Sequence, residues 1–459
     1  MRSSLGVARP ALAGRVLGGI LAAATALAGG LPPAGAAGAG CEAPEGEAGG
    51  LCVFFGDLHA HTSYSDGELR PRDAYFYAWR VGKLDFLGLS DHAYSLNGRP
   101  EHVDDLLRAA RQAQRPGEFV ALPGAEWTQS TQGHINVFTW EGFPDRERQP
   151  VYPELYRWLE SHVVLFAQFN HPGFDIQQNW DAFRYDPRAD RVIELLEVGN
   201  GPFAHNTRYE GSYRLALDQG WRVGAANNSD VHRAEWGTAT PSRTAVWARS
   251  LTESDLVEAI RSRRTYATED PDARLIFRSG AAWMGEVLPL ASRVPLRVAL
   301  WDPDAGDGFA SVQVIGNGGQ VVREMALEGA RRADLRFSVE LGRGDAWFYV
   351  RAVQQDGDLL VSEPHLVRAP FGGARRGAGA ARHAVCRGAG IPGQGGADQR
   401  SGAGPAGAGA LELPGVAERP GRSRDPTHGD RTGGDGVAAG SPGAPGAGAG
   451  ARHPWRRAP

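Results

Sequence analysis

Short apolar runs with the pattern of β-strands alternate with amphipathic helical stretches between residues 50 and about 270. This alternation is typical of repeated strand–helix units whose strands form a parallel sheet. The predicted strands span residues 53–58, 85–90, 119–125, 135–138, 163–169, 192–198, 221–226 and 244–248. The predicted helices span residues 71–82, 101–114, 153–162, 208–219 and 253–263. We therefore expect an α/β fold in which seven or eight strands close into a barrel.

Histidine and carboxylate side chains recur directly after these strands. His59 and His61 follow the first strand, Asp91 and His92 the second, and Glu126 the third. Later strands add further candidates, namely His171, Asp230 and His232. Active sites of α/β barrels are built at the carboxyl ends of the strands, so these side chains are expected to meet. Because mixed imidazole and carboxylate ligands suit zinc, manganese and iron, the sequence predicts a metal site.

Two details refine this expectation. His59 and His61 are two positions apart, so on extended backbone their side chains point the same way and can share one ion. His134 precedes its predicted strand and is therefore expected to enter the site from a loop.

The ordered set of motifs resembles the PHP (polymerase and histidinol phosphatase) superfamily of metal-dependent hydrolases. Within that superfamily, the chain is similar to the CehA/McbA-type metallohydrolases. The resemblance covers roughly residues 50 to 270 and implies a distorted (β/α)7 barrel with two or three divalent ions. It rests on the motifs His59-x-His61, Ser65-Asp66-Gly67, Asp91-His92, Gly124-x-Glu126, Gly133-His134-x-Asn136, Asn170-His171-Pro172 and Ser229-Asp230-x-His232.

The resemblance also implies which residues hold each ion. The implied ligands of the first ion are His59, His61, Glu126 and Asp230. Glu126 is expected to bridge to a second ion, which is also held by His134 and His171. The implied ligands of a third ion are Asp66, His92 and His232, with Asp66 standing where some relatives carry histidine. Glu126, Asp66 and His232 are also the candidate catalytic residues.

Such a site predicts hydrolysis by metal-activated water. We expect a phosphoesterase acting on a small substrate, with a carboxyl-ester or carbamate hydrolase as the main alternative. Tyr64 and His205 are candidate proton donors, as is a water on the third ion. The residues that could form an aromatic pocket wall for an ester or carbamate are Trp127, Phe138, Trp180 and Phe203.

Two further alternatives are a 5′–3′ exonuclease and a metal-stabilised binding protein without turnover. The net charge of −4 and pI near 6.4 give no basic surface of the kind that binds nucleic acid. The open mixture of histidine and carboxylate ligands also differs from the closed shell of a structural ion site. The oligomeric state is left open by the sequence.

The remaining segments differ in composition from the barrel region. Residues 1–36 have the layout of a secretory signal peptide, which predicts export, and residues 37–50 read as a linker. The barrel is expected over residues 51–270, and residues 271–369 alternate at period two, as expected for a small antiparallel β-sandwich. Residues 370–459 are rich in Gly, Ala, Pro and Arg and are expected to be disordered. Cys41 and Cys52 are expected to form a disulfide, and no segment is long enough to span a membrane.

Overall fold

The computed structural model describes residues 49–173, 179–202, 206–342 and 344–368. The predicted signal peptide, most of the linker, the C-terminal tail and Cys41 lie outside these ranges. Cys52 is disulfide-bonded. Within the described ranges, no helix is long and apolar enough to cross a membrane.

Strands and helices alternate in the N-terminal region. Its strands are β1 (Cys52–Asp57), β2 (Phe86–Leu89), β3 (Val120–Gln129), β4 (Gly133–Phe138), β5 (Phe166–Asn170), β6 (Ile193–Asn200), β7 (Thr207–Arg208), β8 (Gly224–Asn228), β9 (Arg243–Ala248) and β10 (Thr265–Thr268). Its helices are α1 (Pro71–Arg80), α2 (Ala93–Leu96), α3 (Pro100–Ala113), α4 (Tyr152–Ser161), the left-handed turn α5 (Asn179–Phe183), α6 (Glu210–Gln219) and α7 (Glu253–Arg261). The longer elements lie where the hydrophobic pattern predicts them, with bounds shifted by a few residues.

The helix ends follow local sequence signals. α1 and α3 begin at Pro71 and Pro100, where a missing N–H costs no helical hydrogen bond. The hydroxyl of Thr252 caps α7 by accepting a hydrogen bond from the Asp255 backbone N–H. α6 ends at Gly220, whose φ of 105° is readily adopted only by glycine.

The N-terminal strands form one sheet in the order β9-β1-β2-β3-β4-β5-β6-β8. β1, β2 and β3 are mutually parallel, as are β5, β6 and β8, but β4 is antiparallel to both of its neighbours. β9 is antiparallel to β1. The expectation of purely parallel units is therefore wrong for β4 and β9. Only residues 130–132 connect β3 to β4, which is far too short for a parallel crossover.

The two ends of this strand order meet at Thr244 of β9 and Asn227 of β8. The Thr244 hydroxyl accepts a hydrogen bond from the Asn227 backbone N–H at 3.0 Å. It can donate its one proton to the Asn228 side-chain oxygen at 2.9 Å or to the Asn227 carbonyl oxygen at 3.1 Å. Thr244 and Asn227 are both buried. The sheet therefore curves back on itself, and side-chain hydrogen bonds join β8 to β9.

The C-terminal region consists of β-strands in two sheets. Its strands are β11 (Arg274–Ser279), β12 (Ala282–Trp283), β13 (Val287–Pro289), β14 (Arg293–Trp301), β15 (Phe309–Gly316), β16 (Gln320–Ala330), β17 (Arg332–Glu340), β18 (Ala346–Gln354), β19 (Leu359–Ser362) and β20 (His365–Arg368). One sheet has the order β12-β11-β14-β17, with all its pairs antiparallel. β19 pairs with β10, so the other sheet is continuous with the N-terminal sheet.

A shared hydrophobic core accompanies this continuity. Trp247 and Tyr266 of the N-terminal strands lie in the same cluster as Leu275, Val298 and Val350 of the C-terminal strands. The Trp247 indole N–H also donates to the Leu275 carbonyl oxygen at 2.9 Å. The C-terminal sheets therefore pack on the N-terminal region through apolar contacts.

The join between β8 and β9 can be tested with Thr244→Val. Valine has a similar shape but no hydroxyl, so the buried Asn227 N–H loses its acceptor and a buried oxygen of β8 loses its donor. We expect a loss of about 2–3 kcal/mol in the free energy of unfolding. Thr244→Ser keeps the hydroxyl and should lose only about 1 kcal/mol for the missing methyl group. Urea unfolding of both variants provides the measurement, and an equal or smaller loss for valine would contradict this role of the hydroxyl.

Candidate metal centre

The structure brings the nine proposed ligands together at one end of the N-terminal sheet. Two backbone bridges fix neighbouring segments there, one between Ala60 and Val231 and one between His92 and Glu126. A cavity of about 350 Å³ opens on this end. Its walls include His92, Glu126, His134, His171, Asp230 and His232, together with Asn200, Gly201, Pro202, Thr207 and Tyr209. His59 and His61 are fully buried.

His134 reaches the site from a strand and not from a loop. It lies near the start of β4, where it pairs with Thr128 on one side and Asn170 on the other. Because β4 runs antiparallel, its start lies at the same end of the sheet as the carboxyl ends of β3 and β5. The reversed strand direction therefore accounts for a histidine that precedes its strand in sequence.

His59 has the surroundings of a buried metal ligand. Its Nδ1 lies 2.9 Å from Glu197 Oε1, so this nitrogen carries the ring proton and donates it to the carboxylate. Its Nε2 is buried without a hydrogen-bond partner among the described residues. The same Nε2 lies 3.3 Å from Glu126 Oε1 and 3.2 Å from Asp230 Oδ1. A ring nitrogen beside two carboxylate oxygens fits a shared divalent cation, and a carboxylate that accepts a hydrogen bond from the other ring nitrogen is typical of metal-binding histidines.

Glu126 presents its two oxygens to different histidines. Oε1 lies 3.1 Å from His134 Nδ1 and 3.3 Å from His171 Nε2, and it accepts a hydrogen bond from Asn170 at 3.0 Å. Oε2 lies 2.7 Å from His92 Nδ1. The side chain is 1% exposed, so it is the central carboxylate of the cluster.

The outer part of the cluster surrounds Asp66. Its Oδ2 lies 3.5 Å from His92 Nε2, and its Oδ1 lies 3.3 Å from His232 Nε2 and 3.9 Å from His61 Nδ1. The Asp66 side chain is 54% exposed and that of His232 is 37% exposed. The cluster therefore extends from the buried Glu126 to an open rim at Asp66.

The potential ligand atoms form three groups that share members. The groups, each with ligand atoms within 4.8 Å of one another, are His59, Glu126 and His171; His59, His61 and Asp230; and His61, Asp66, His92 and His232. Several ions could therefore bind side by side. The grouping differs from the expected one at three histidines. His61 also belongs to the outer group, His171 is grouped with His59, and His134 belongs to none of the three groups.

The buried part of the cluster is strongly polarised. Burial would lower the pKa of His59, but the nearby carboxylates, Asp230 foremost, raise it well above its usual value. Burial would raise the pKa of Glu126, but His134 and His59 hold it well below its usual range. Burial would also raise the pKa of Asp230, but His59, His61 and His171 together lower it. These carboxylates are therefore ionised at neutral pH, as metal ligands must be.

The rim shows the same pattern. Burial would lower the pKa of His92, but hydrogen bonds to Asp66 and Glu126 raise it to about 10. The pKa of Asp66 is held below its usual range, because hydrogen bonds to His232 and His92 outweigh the opposing effect of burial. The raised pKa values of His59 and His92 favour their protonated forms beside the carboxylates, so binding of a divalent cation would release protons.

Two ligands sit on strained backbone. Asp230 has a φ of 51° and His171 a φ of 25°, which non-glycine residues rarely adopt. The Asp230 backbone N–H donates to the His59 carbonyl oxygen, and the His171 backbone N–H donates to Glu197 Oε2 at 2.6 Å. Hydrogen bonds from the surrounding site thus hold both residues in these conformations, as is common at functional sites.

Glu197 is the main supporting residue that the sequence analysis missed. Besides contacting His59 and His171, its carboxylate accepts hydrogen bonds from the side chains of Asn200 and Asn228. An acidic residue inside the apolar run of β6 is the sequence signal that could have identified it, although Glu194 shares that signal.

Asp91 supports the segment that leads to Asp66. It accepts hydrogen bonds from the Thr62 backbone N–H, the Thr62 hydroxyl and the Ser65 hydroxyl, each at 2.7 Å. Fully buried, it fixes the backbone on which Asp66 lies.

Two expectations about the pocket are corrected. Trp127, Phe138 and Trp180 are fully buried in hydrophobic clusters and do not line the cavity, and Phe203 lies outside the described residues. Tyr64 donates its hydroxyl to Asp105, stacks on His102 and is absent from the cavity wall, so it is not placed as a proton donor. The other candidate donor side chain, His205, lies outside the described residues.

The likeness to known proteins is distant. No protein-family model and no curated protein matches the chain. A two-domain protein from Bacteroides vulgatus ATCC 8482, described as containing a predicted PHP-like metal-dependent phosphoesterase, is 20% identical over 65% of this chain and 91% of that chain, with a TM-score of 0.40. An engineered protein is 13% identical over 69% of this chain and 87% of that chain, with a TM-score of 0.22.

Fibronectin(III)-like modules of CbhA from Clostridium thermocellum are 14% identical over 31% of this chain and 71% of that chain, with a TM-score of 0.15. At these TM-scores none of the three structures establishes the fold or activity of this chain. Function has to be inferred from the residues of the site.

The role of Glu197 can be tested with Glu197→Gln. The amide keeps an acceptor for His59 but removes the negative charge that raises the basicity of its ring, so metal affinity should fall about 10- to 100-fold. Competition against a chromogenic chelator measures the affinity, and Glu160→Gln, an exposed change on α4, is the matched control. Unchanged affinity in a folded Glu197→Gln protein would contradict the supporting role.

Proposed function

We propose that the protein is a metal-dependent hydrolase, and specifically a phosphoesterase acting on a small substrate. One observation carries the proposal: three adjacent groups of histidine and carboxylate ligands share members and lie at a single cavity of about 350 Å³. That volume suits a small molecule. The buried, unpartnered Nε2 of His59 indicates that these residues fit cations.

The ligand roles follow the resemblance to the PHP superfamily, with two or three ions of zinc, manganese or iron, except that His92 lies beside Glu126 as well as beside Asp66. Bound divalent ions would supply Lewis acidity and generate a hydroxide nucleophile at neutral pH. Glu126 would hold two of the ions together, because its oxygens face different histidines. Asp66 and His232 would hold the outermost ion at the rim, where a substrate enters.

Substrate class follows from the charge and shape of the cavity. No arginine or lysine is among the described residues that line it, so the negative charge of a phosphoryl group would have to be met by cations bound to the histidines and carboxylates. Three clustered ions can contact the attacking, bridging and leaving oxygens of a phosphoester, whereas attack on a carbonyl needs only one or two. Because Trp127, Phe138 and Trp180 are buried and do not line the cavity, an aromatic ester is a less favoured substrate.

A carboxyl-ester or carbamate hydrolase of the CehA/McbA type is the second candidate function. It is favoured by the sequence resemblance and by Tyr209, an aromatic residue on the cavity wall. The exonuclease alternative is disfavoured by the net charge of −4. A binding protein without turnover is disfavoured by the open, partly exposed ligands at the rim.

The reaction can be tested on purified protein with a panel of substrates. We expect release of nitrophenol from a phosphate mono- or diester, loss of activity with a chelator, and recovery on adding zinc, manganese or iron. Naphthyl esters and carbamates should remain intact. The reverse substrate preference would contradict the phosphoesterase assignment but not the metal centre. No turnover of either substrate class after metal reconstitution would favour a binding protein without activity.

The bridging role of Glu126 can be tested with Glu126→Ala and Asp66→Ala. The first change removes a ligand from two ions and the negative charge between them, so it should lose more bound metal and activity than any single histidine change. The second should remove only the outermost ion. Metal content per chain by plasma mass spectrometry, together with activity, gives the readout, and a Glu126→Ala protein with full metal content and activity would contradict the bridge.

We also propose that the protein is exported, on the basis of residues 1–36, which lie outside the described ranges. N-terminal sequencing should find a mature chain that begins after Ala36 or close by. A cytoplasmic protein with Met1 intact would contradict this.

A further inference from the structure

A second cluster of carboxylates lies on segments that contribute nothing to the cavity. Asp270 and Asp272 lie between β10 and β11, and Asp302 directly follows β14. Oxygens of these three residues lie within 4.8 Å of one another. Asp270 and Asp302 are buried, so this is not a solvated acidic surface.

The two segments share a sequence and a turn. Each contains the tripeptide Asp-Pro-Asp, at residues 270–272 and 302–304. Asp270 Oδ1 accepts hydrogen bonds from the Asp272 and Ala273 backbone N–H groups at 2.8 and 2.6 Å, and Asp302 Oδ1 accepts one from Asp304 at 2.6 Å. In both Asp270 and Asp302, Oδ1 thus accepts hydrogen bonds within its own turn, and Oδ2 faces the centre of the cluster.

Gln354, at the end of β18, closes this centre. Its Nε2 lies 2.6 Å from Asp302 Oδ2 and 3.4 Å from Asp270 Oδ2, so the amide lies against both carboxylates. The residue is 1% exposed, and its Oε1 has no hydrogen-bond partner among the described residues. A buried amide oxygen without a partner is unfavourable. Rotating the amide by half a turn would exchange the two Nε2 hydrogen bonds for an Oε1 that faces two carboxylate oxygens. That arrangement is favourable only with a cation between the three oxygens.

The surroundings of the cluster disfavour the ionised form of two of its carboxylates. Burial, reinforced by neighbouring aspartates including Asp270, raises the pKa of Asp272 and of Asp302 to about 6. Arg274 opposes this shift at Asp272 but does not cancel it. The carboxylates therefore repel one another at neutral pH, where a cation between them would be stabilising.

We propose that Asp270, Asp272, Asp302 and the amide oxygen of Gln354 bind one Ca²⁺ ion. All the donors are oxygens, which suit a hard cation, and Ca²⁺ accepts six to eight of them, with backbone carbonyls and water completing its shell. The absence of histidine and cysteine from the group disfavours zinc. The ion would fasten the β10–β11 connection of the N-terminal region to β14 and β18 of the C-terminal sheets.

Thermal unfolding of the full chain tests the proposal. Millimolar Ca²⁺ should raise the Tm of the wild-type protein by several degrees, because the ion binds the folded state alone. Asp302→Asn should abolish this rise. Asp334→Asn is the matched control, since it makes the same change of charge at an exposed carboxylate paired with Arg297 and Arg336, and it should keep the rise.

Terbium luminescence locates the ion. Trp301 adjoins Asp302 in the chain, so Tb³⁺ in this site should be excited through the indole and emit strongly. Added Ca²⁺ should displace Tb³⁺ and abolish the emission, and the Asp302→Asn protein should give no emission. Asp66→Asn, a change at the other centre, should leave both the signal and the Tm rise in place.

Four results would overturn the proposal. They are no Tm rise and no terbium signal in the wild-type protein, retention of both in Asp302→Asn, loss of both in Asp66→Asn, or loss of both in Asp334→Asn. If Asp302→Asn fails to fold, the same measurements are made on Asp272→Asn, since Asp272 is only half-buried. Its affinity for Ca²⁺ should be at least tenfold weaker than that of the wild type, and unchanged affinity would contradict the site.

Discussion

The buried carboxylate of Glu126 is the interaction on which the rest of the site depends. A charge that is 1% exposed is costly unless positive groups and hydrogen bonds surround it. Glu126 has His59, His134 and His171 around one oxygen and His92 beside the other. The same arrangement that compensates the charge without ions would place it between two ions.

The fold supplies these histidines from separate segments. Parallel strands carry their following residues to one end of the sheet, and the reversed direction of β4 brings His134 to that end from the start of a strand. Behind the ligands, Glu197 and Asp91 fix the backbone and the ring orientation. The sheet returns to itself at Thr244, so the strands that carry the site are held in a closed arrangement.

Much of this arrangement could be predicted from local patterns. Period-two and helical periodicity located the main elements, and chemically distinctive residues placed after strands located the cluster, because both signals are local in sequence. Strand direction was harder to predict, since hydrophobic periodicity is the same for parallel and antiparallel strands, and the short connection 130–132 was the available clue.

Long-range packing was the least predictable. Trp127 and Trp180 stand near ligand motifs in sequence, yet their side chains point into the core, which depends on contacts that no local pattern specifies. The pairing of β10 with β19 likewise joins residues about 90 positions apart, so the continuity of the N- and C-terminal sheets was not apparent from composition. Glu197 was overlooked because an acidic residue in an apolar strand has no motif of its own, and β6 also contains Glu194.

The central claim is that divalent ions bind between the histidines and carboxylates around Glu126. Crystallographic anomalous diffraction at the absorption edges of zinc, manganese and iron tests it most directly. We expect element-specific peaks beside Glu126 on both its Oε1 and its Oε2 side, with His59 Nε2 and Asp230 among the ligands. A crystal grown with these metals that shows no peak at Glu126, or shows peaks only at surface histidines, would contradict the account.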